Sequence, residues 1–485
     1  DGDVRTYSYQ QLDRVSRRFA HALAAHGVSR GDRVAVLLPQ TPETVLTHLA
    51  AYRLGAVMVP LFTLFGADGL RYRLHDSGAV ALVTDGPNLE KVLGLRDELP
   101  DLKTVFSIDG RDSGVFGFWQ ELGKAADDPI LARTRPDDPA FISYTSGTTG
   151  PPKGARHGHR VLLGHLPGYI LSHEFTPQPG DVAWTPADWA WMGGLMDILL
   201  PGLALGVPVL AHRMAKFDPE AAMHLMRNQG VRNAFLPPTA LKLMRGAEVQ
   251  DGQFLRTVAS GGEALGAGLL DWGQGVFRRP INEFYGQTEC NLVLSNCAQV
   301  MPPRPGSMGQ AVPGFELAIL DADGHPVPAG EVGEIAVKSP NPSMFLNYWN
   351  QPEKTAAKFA GPWMRTGDEG HLDDEGYVFF SARSDDVITS SGYRIGPSEV
   401  EDCLTRHPDV ALAGVVGVPD PVRTEVVKAF IVPAPDADRE GLDARLIAHV
   451  RENLSPHVAP RLVSFVDSLP MTATGKIMRR ALRDT

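Results

Sequence analysis

Cysteine is scarce: the 485 residues hold only Cys290, Cys297 and Cys403, with no paired zinc-ligand spacing. That usage argues against a disulfide framework or a structural zinc and fits a reducing compartment, the cytoplasm by default. Positive charge is short as well. Lys and Arg number 46 against 57 Asp and Glu, a net charge of -11, so no nucleic-acid partner is expected. A polyanionic ligand would have to meet positive charge gathered locally. Long apolar runs are missing: the most apolar stretch, Leu195 to Ala211, carries Asp197 and two prolines and is too short to span a bilayer. No secretory leader is read at the N-terminus, which opens on Asp1. There is no internal repeat and no low-complexity segment, and the length exceeds what one core can fill, so two or more domains are expected.

What is there alternates. Ser8 and Gln11 form a capping box, and Leu12, Val15, Phe19 and Leu23 recur at helical spacing until Gly27. Arg33 to Leu38 reads as a strand, Thr41 and Pro42 open a helix that stops before Gly55, and Ala56 to Pro60 and Ala79 to Thr84 are extended. Strand-like runs return at Phe141 to Tyr144, Val182 to Thr185, Val207 to Ala211, Asn233 to Leu236, Thr257 to Ser260 and Ile281 to Phe284. Such βα alternation implies an α/β fold with doubly wound, largely parallel sheets. From about Gly306 to residue 380 the texture turns to hairpins, an antiparallel β subdomain. Beyond Arg383 a compact α+β unit of about 100 residues follows, large enough to be a separate domain. The expected division is residues 1–384 and 385–485.

Two strand exits carry unusual chemistry. Tyr144-Thr145-Ser146-Gly147-Thr148-Thr149-Gly150-Pro151-Pro152-Lys153-Gly154 follows an apolar run, where α/β sheets place ligands. Its glycines let backbone N–H groups approach an anion, its hydroxyls add donors, and Lys153 adds a cation, so it suits phosphate. It is not a Walker loop, because Pro152 and Gly154, on either side of Lys153, stand where Gly and Ser or Thr are needed. The second exit is Phe284-Tyr285-Gly286-Gln287-Thr288-Glu289, where Glu289 offers a hard oxygen suited to Mg²⁺ and Thr288 a donor for phosphate. Ser260-Gly261-Gly262-Glu263 is a weaker third: its glycines would let a flat ring lie against backbone.

With these motifs in this order, the chain resembles the adenylate-forming (AMP-binding) superfamily, most closely its medium-chain and acetyl-CoA synthetases, from about Thr6 to Arg480. The resemblance implies ATP, Mg²⁺ and CoA as cofactors and two half-reactions, acyl-adenylate formation and transfer of the acyl group to CoA. It assigns nucleotide contacts to Thr145, Ser146, Gly147, Thr148, Thr149, Lys153, Gly262, Glu263, Tyr285, Gln287, Thr288 and Arg394, and the ribose to Asp368 and Arg383. Glu289 would bind the metal, and Thr145, Glu289 and Lys476 would be catalytic. Lys476, in Thr472-Ala473-Thr474-Gly475-Lys476, matches the adenylation lysine, Gly392 borders the CoA tunnel, Arg451 reaches the CoA nucleotide, and Asp385 is the hinge of a mobile C-terminal domain. Trp191, Met192, Gly193 and Gly286 are expected to line the acyl pocket. Acetate-specific relatives carry Trp at the position of Gly286, so this glycine should open the pocket to medium-chain, branched or aromatic acids. An exposed Lys476 would also be open to a lysine acetyltransferase and deacetylase. A carrier-protein-loading ligase, a luciferase-like oxidative enzyme and a non-catalytic acyl-nucleotide binding protein would share many of these motifs. The acid, the pathway and any oligomer stay open.

Overall fold

The strand Arg33–Leu37 shows why helices lie on both sides of the first sheet. Val34 and Val36 point into a core built by the helices Tyr9–Ala25 and Pro42–Leu54, whereas Ala35 and Leu37 point into another under Ala67–Ser77 and Gly86–Leu93. A strand apolar on both faces has to be covered twice. The computed structural model describes residues 4–110, 114–145, 151–383, 386–390, 393–420, 423–454, 456, 458–472 and 476–483, with backbone alone at 382–383, 389 and 393–394. The first sheet runs Asn347–Tyr348, Lys153–Gly158, Pro139–Thr145, Val57–Pro60, Arg33–Leu37, Ala79–Thr84, Thr104–Ser107, Phe116–Gly117. Its last six strands are parallel and its first two antiparallel. The Ser8–Gln11 capping box forms as read. Thr41 holds the N-cap position without a side-chain cap, because its hydroxyl meets Thr44 Oγ1 at 3.3 Å.

The second sheet begins parallel, with Ala183–Trp184, Asn233–Phe235, Thr257–Gly261 and Ile281–Gln287. It then turns antiparallel through Asn291–Ser295, Ser307–Ala311, Tyr377–Arg383, Trp363–Leu372, Gly333–Lys338 and Leu317–Leu320. The β-rich region past Gly306 therefore extends the parallel sheet by hydrogen bonding instead of closing one of its own. Val207 to Ala211 is not a strand. It reaches the sheet through a single bridge, Ala183 to Val209, and Pro208 leaves no N–H to continue a ladder.

One buried ion pair closes this region. Arg256 lies on Asp181 at 2.8 Å through both Nε and Nη2, and gives further N–H groups to the carbonyls of His173 and Glu174. Asp181 also accepts from Thr176 and the Gln178 N–H.

The third sheet belongs to the C-terminal unit: Tyr393–Ile395, Ile388–Ser390, Thr424–Pro433 and Val410–Asp420, with Leu462–Phe465 parallel to Thr424–Pro433. The helices Pro397–Thr405 and Leu442–Asn453 cover one face. Near the chain end Arg479 donates to both oxygens of Glu401, at 3.1 and 2.6 Å, and to Asp386 at 3.2 Å; Arg483 adds a second contact to Asp386.

Glu283, buried on the strand Ile281–Gln287, accepts the Leu265 N–H at 3.2 Å and lies near Asp402 of the helix Pro397–Thr405. Burial, and secondarily Asp402, pushes its carboxyl from 4.5 up to about 8. A carboxyl raised on folding adds stability that is complete below about pH 4.5 and is lost as pH rises through about 8. Glu283→Gln should therefore gain on the wild type by on the order of 1–3 kcal/mol between pH 5 and pH 9. Melting curves for the two proteins across that range check it, and parallel curves would refute the assignment.

Candidate active site

The exits of the two large sheets open onto one groove of about 3200 Å³, lined by Thr145, Lys153, Gly262, Glu263, Tyr285 through Glu289, Asp368, Trp191 through Gly193 and Lys476. Pro139–Thr145 and Lys153–Gly158 are antiparallel partners, with Thr145 paired to Lys153 across the register and its Oγ1 on the Lys153 carbonyl at 3.4 Å. The phosphate-loop candidate is thus the connection of a hairpin, unlike a Walker loop, which feeds a helix. Ser146, Gly147, Thr148 and Thr149 lie outside the described residues. At its end, Lys153 Nζ stands 4.9 Å from the centroid of the Tyr348 ring, while the Tyr348 hydroxyl donates to Glu289. Tyr348 was not singled out in the sequence. The sequence signals it only as one of two adjacent aromatics, Tyr348 and Trp349, between asparagines, and its importance depends on pairing with Lys153–Gly158.

Glu289 sits in the turn at which the second sheet changes from parallel to antiparallel. It is buried, and the Phe345 N–H holds its carbonyl at 2.8 Å. A buried carboxylate on the groove lining fits Mg²⁺, which takes one or two protein oxygens and completes its shell with phosphate and water. Burial also pushes the neighbouring Cys290 thiol up to about 12, leaving it inert. On the preceding strand, Tyr285 and Gln287 both donate to Asp368 Oδ2 at 2.6 Å, and Gln287 also reaches the Thr366 carbonyl at 2.9 Å. Burial and Asp368 together raise the Tyr285 phenol well above its ordinary value, so it remains a donor. Asp368 pairs in backbone register with Arg383, whose side chain lies outside the described residues. Gly262 takes φ +100°, a conformation that favours glycine, and Glu263 beside it meets Lys242 at 3.4 Å.

Gly286 lines the groove, but the reason for a glycine there differs from the one read in the sequence. A Cβ would stand 1.9 Å from the Asn291 carbonyl oxygen and 2.9 Å from Leu292 Cα, inside the facing strand. The absent side chain serves the bulged pairing of Ile281–Gln287 with Asn291–Ser295, so a Trp there requires the strands to separate and Gly286→Trp reads strand packing before chain length. Gly193 also lines the groove, and its missing side chain lets the Phe235 ring pack against the backbone: a Cβ would come 2.8 Å from that ring. Trp191 closes one side against Phe62 and Phe65, at centroid distances of 5.5 and 5.7 Å. Met192 is half-buried.

Lys476 is exposed, its N–H on Thr472 Oγ1 at 3.0 Å and its carbonyl accepting from the Thr472 N–H at 2.7 Å. Arg451 is exposed in the last turn of Leu442–Asn453 and does not line the groove. Arg394 pairs through its backbone with Thr389, and Asp385 and Gly392 lie outside the described residues. Among the described residues no helix is long and apolar enough to cross a membrane.

The AMP-binding enzyme family matches residues 1–349, and the AMP-binding enzyme C-terminal domain matches 399–476. The mitochondrial acyl-coenzyme A synthetase ACSM4 of Rattus norvegicus is 37% identical over 100% of this chain and 85% of its own length. The acetyl-coenzyme A synthetase of Bacillus subtilis is 35% identical over 98% of this chain and 84% of its own. Among solved structures, the anthranilate CoA ligase AuaEII in complex with anthranoyl-AMP superposes with a TM-score of 0.91 at 29% identity, covering 99% of this chain and 92% of that one. Matched over both its units, and with relatives 35–37% identical over 98–100% of its length, the chain belongs to the AMP-binding enzyme family, among its acyl-coenzyme A synthetases.

Proposed function

We propose that this enzyme activates a medium-chain, branched or aromatic carboxylic acid. In the first half-reaction a carboxylate oxygen attacks the α-phosphorus of MgATP, forming the acyl-adenylate as pyrophosphate leaves. In the second the CoA sulfur attacks the acyl carbon, the thioester forms, and AMP leaves. Lys153 and the hydroxyl-rich loop after Thr145 are read as the cradle of the β- and γ-phosphates, Glu289 as the Mg²⁺ ligand, Thr288 as an α-phosphate donor, and Asp368 with Arg383 as the ribose contacts. Magnesium, when bound there, neutralises phosphate charge. The observation that carries this reading is that Lys153, Glu289, Asp368 and Lys476 line one groove although they come from widely separated parts of the chain.

The acid class follows from that groove. Trp191, Met192, Met196 and Phe235 give it an apolar lining, and each further buried methylene contributes about 0.8 kcal/mol, favouring longer or bulkier acids over acetate by several-fold per carbon. Pyrophosphate release measured over acids of graded length and bulk, with and without CoA, tests both parts. AMP and thioester should accumulate only with CoA, fastest with acids of four or more carbons. Acetate as the best substrate would overturn the acid class, and turnover that needs no CoA would overturn the acceptor.

Two further points belong to this reading. Three free, buried thiols suit a reducing compartment, which we take to be the cytoplasm. Lys476 is exposed, so an acetyltransferase could reach it, and acetylation would erase the cation that the first half-reaction needs. Protein acetylated at Lys476 should lose adenylation and regain it on deacetylation, followed by intact mass and pyrophosphate release; full activity of the acetylated form would end the idea.

A further inference from the structure

The helical segment that begins after Trp191 changes its winding partway. Met192–Gly194 and Leu200–Leu205 are α-helical, but Leu195–Leu199 between them is a π-turn. Such turns are rare and occur often at functional sites. The polar side chain this one presents is Asp197, 8% exposed and on the groove lining. Its Oδ1 lies 3.1 Å from Nε2 of His165, itself 1% exposed. Its Oδ2 faces Gly193, 3.8 Å from where a Cβ on that glycine would stand, beside the Phe235 ring. Among the described residues no second side chain donates to either oxygen. Around it the groove is apolar, with Met192, Met196, Phe235, Phe284 and Leu292.

Packing alone does not account for a carboxylate here. A buried ion pair is often no more stable than apolar side chains of the same volume, and burial raises the Asp197 carboxyl against its ionised form. A buried acceptor on the groove lining, with one oxygen 3.1 Å from an imidazole and the other facing Gly193, has the arrangement that recognition of a donor needs. Sites of that kind discriminate strongly, since an analogue without the donor leaves the acceptor desolvated and unpaired.

We propose that Asp197, positioned by His165, is a specificity-determining residue of the acyl pocket that accepts a hydrogen bond from a neutral donor, a hydroxyl or an aromatic amine, carried by the acid away from its carboxyl group. The inference rests on the acid-activating reading above and narrows its substrate class to hydroxy- or amino-substituted acids. Gly193 and the Phe235 ring packed against it then form the wall beside the substituent.

The test is pyrophosphate release from matched acids: benzoate against its positional hydroxy and amino derivatives, and octanoate against hydroxyoctanoates. Wild-type enzyme should favour at least one substituted acid over its parent by roughly 10-fold or more in kcat/KM. Asp197→Leu should bring that ratio to one or below. Asp197→Asn, which keeps the shape and a weaker acceptor, should lose several-fold of it, and His165→Gln, which frees the carboxylate to turn, should lower it as well. A purely structural role would move both acids of a pair together. The proposal is overturned if every parent acid is preferred, or if the Leu variant lowers parent and substituted acids by one factor. Should melting curves show that the Leu variant does not fold, an unchanged ratio in the Asn variant overturns it. Pyrophosphate release from none of the acids would instead overturn the acid-activating reading.

Discussion

Lys476→Ala is expected to slow acyl-adenylate formation by roughly 10²-fold or more and to leave the conversion of supplied acyl-adenylate to thioester in place. The first half-reaction brings a carboxylate to a phosphate, two anions whose repulsion is strongest where water is excluded. A preorganised ammonium that meets both is worth far more there than in water, and none of its benefit carries into thioester formation, in which a thiol attacks a neutral ester-like carbon. Acid-dependent pyrophosphate release should therefore collapse, and thioester formation from synthetic acyl-adenylate plus CoA should persist. Equal loss in both assays would mean that Lys476 serves the fold and that the cation lies elsewhere.

Asp181→Ala should destabilise the large unit by about 3–5 kcal/mol, the cost of leaving a buried partner charge without its counterpart. Arg256 would keep its bonds to the carbonyls of His173 and Glu174, but its guanidinium would have lost both carboxylate oxygens in a site where Asp181 is 5% exposed. Three segments meet on this pair: the turn from His173 to Asp181, the strand Asn233–Phe235 and the strand Thr257–Gly261. Denaturant titration should show the midpoint falling with little change in slope. Replacing both residues together, Asp181→Leu with Arg256→Met, should recover much of the loss, whereas additive losses would show that the pair is not coupled.

Much of this was legible in the chain. Alternating apolar runs separated by capped helices are read locally, so the strands Arg33–Leu37, Thr257–Gly261 and Ile281–Gln287 fall where the pattern puts them. Val207 to Ala211 has the same composition and is not a strand, because Pro208 interrupts the ladder. Gly286 shows the opposite limit. A glycine beside a motif invites a reading in terms of ligand space, while the direction of its missing Cβ, into the backbone of Asn291, depends on a neighbouring strand and its bulge. Tyr348 and Asp197 were invisible for a similar reason. The first matters through a strand pairing nearly two hundred residues distant in sequence, and the second counted only as a charge that disqualified an apolar run from spanning a membrane. Its proposed role depends on a π-turn and on His165, neither of which has a local signature.

The double grip of Arg479 on Glu401 and Asp386 has a mechanical consequence. Asp386 adjoins the proposed pivot, and Arg479 stands three positions after Lys476. Swinging of the small unit would then drive the ammonium as a crank drives a pin, with almost no slack between shaft and tip. Loss of that coupling would let the tip wander while the shaft still turned freely, and an enzyme so altered would bind all its substrates and mistime them.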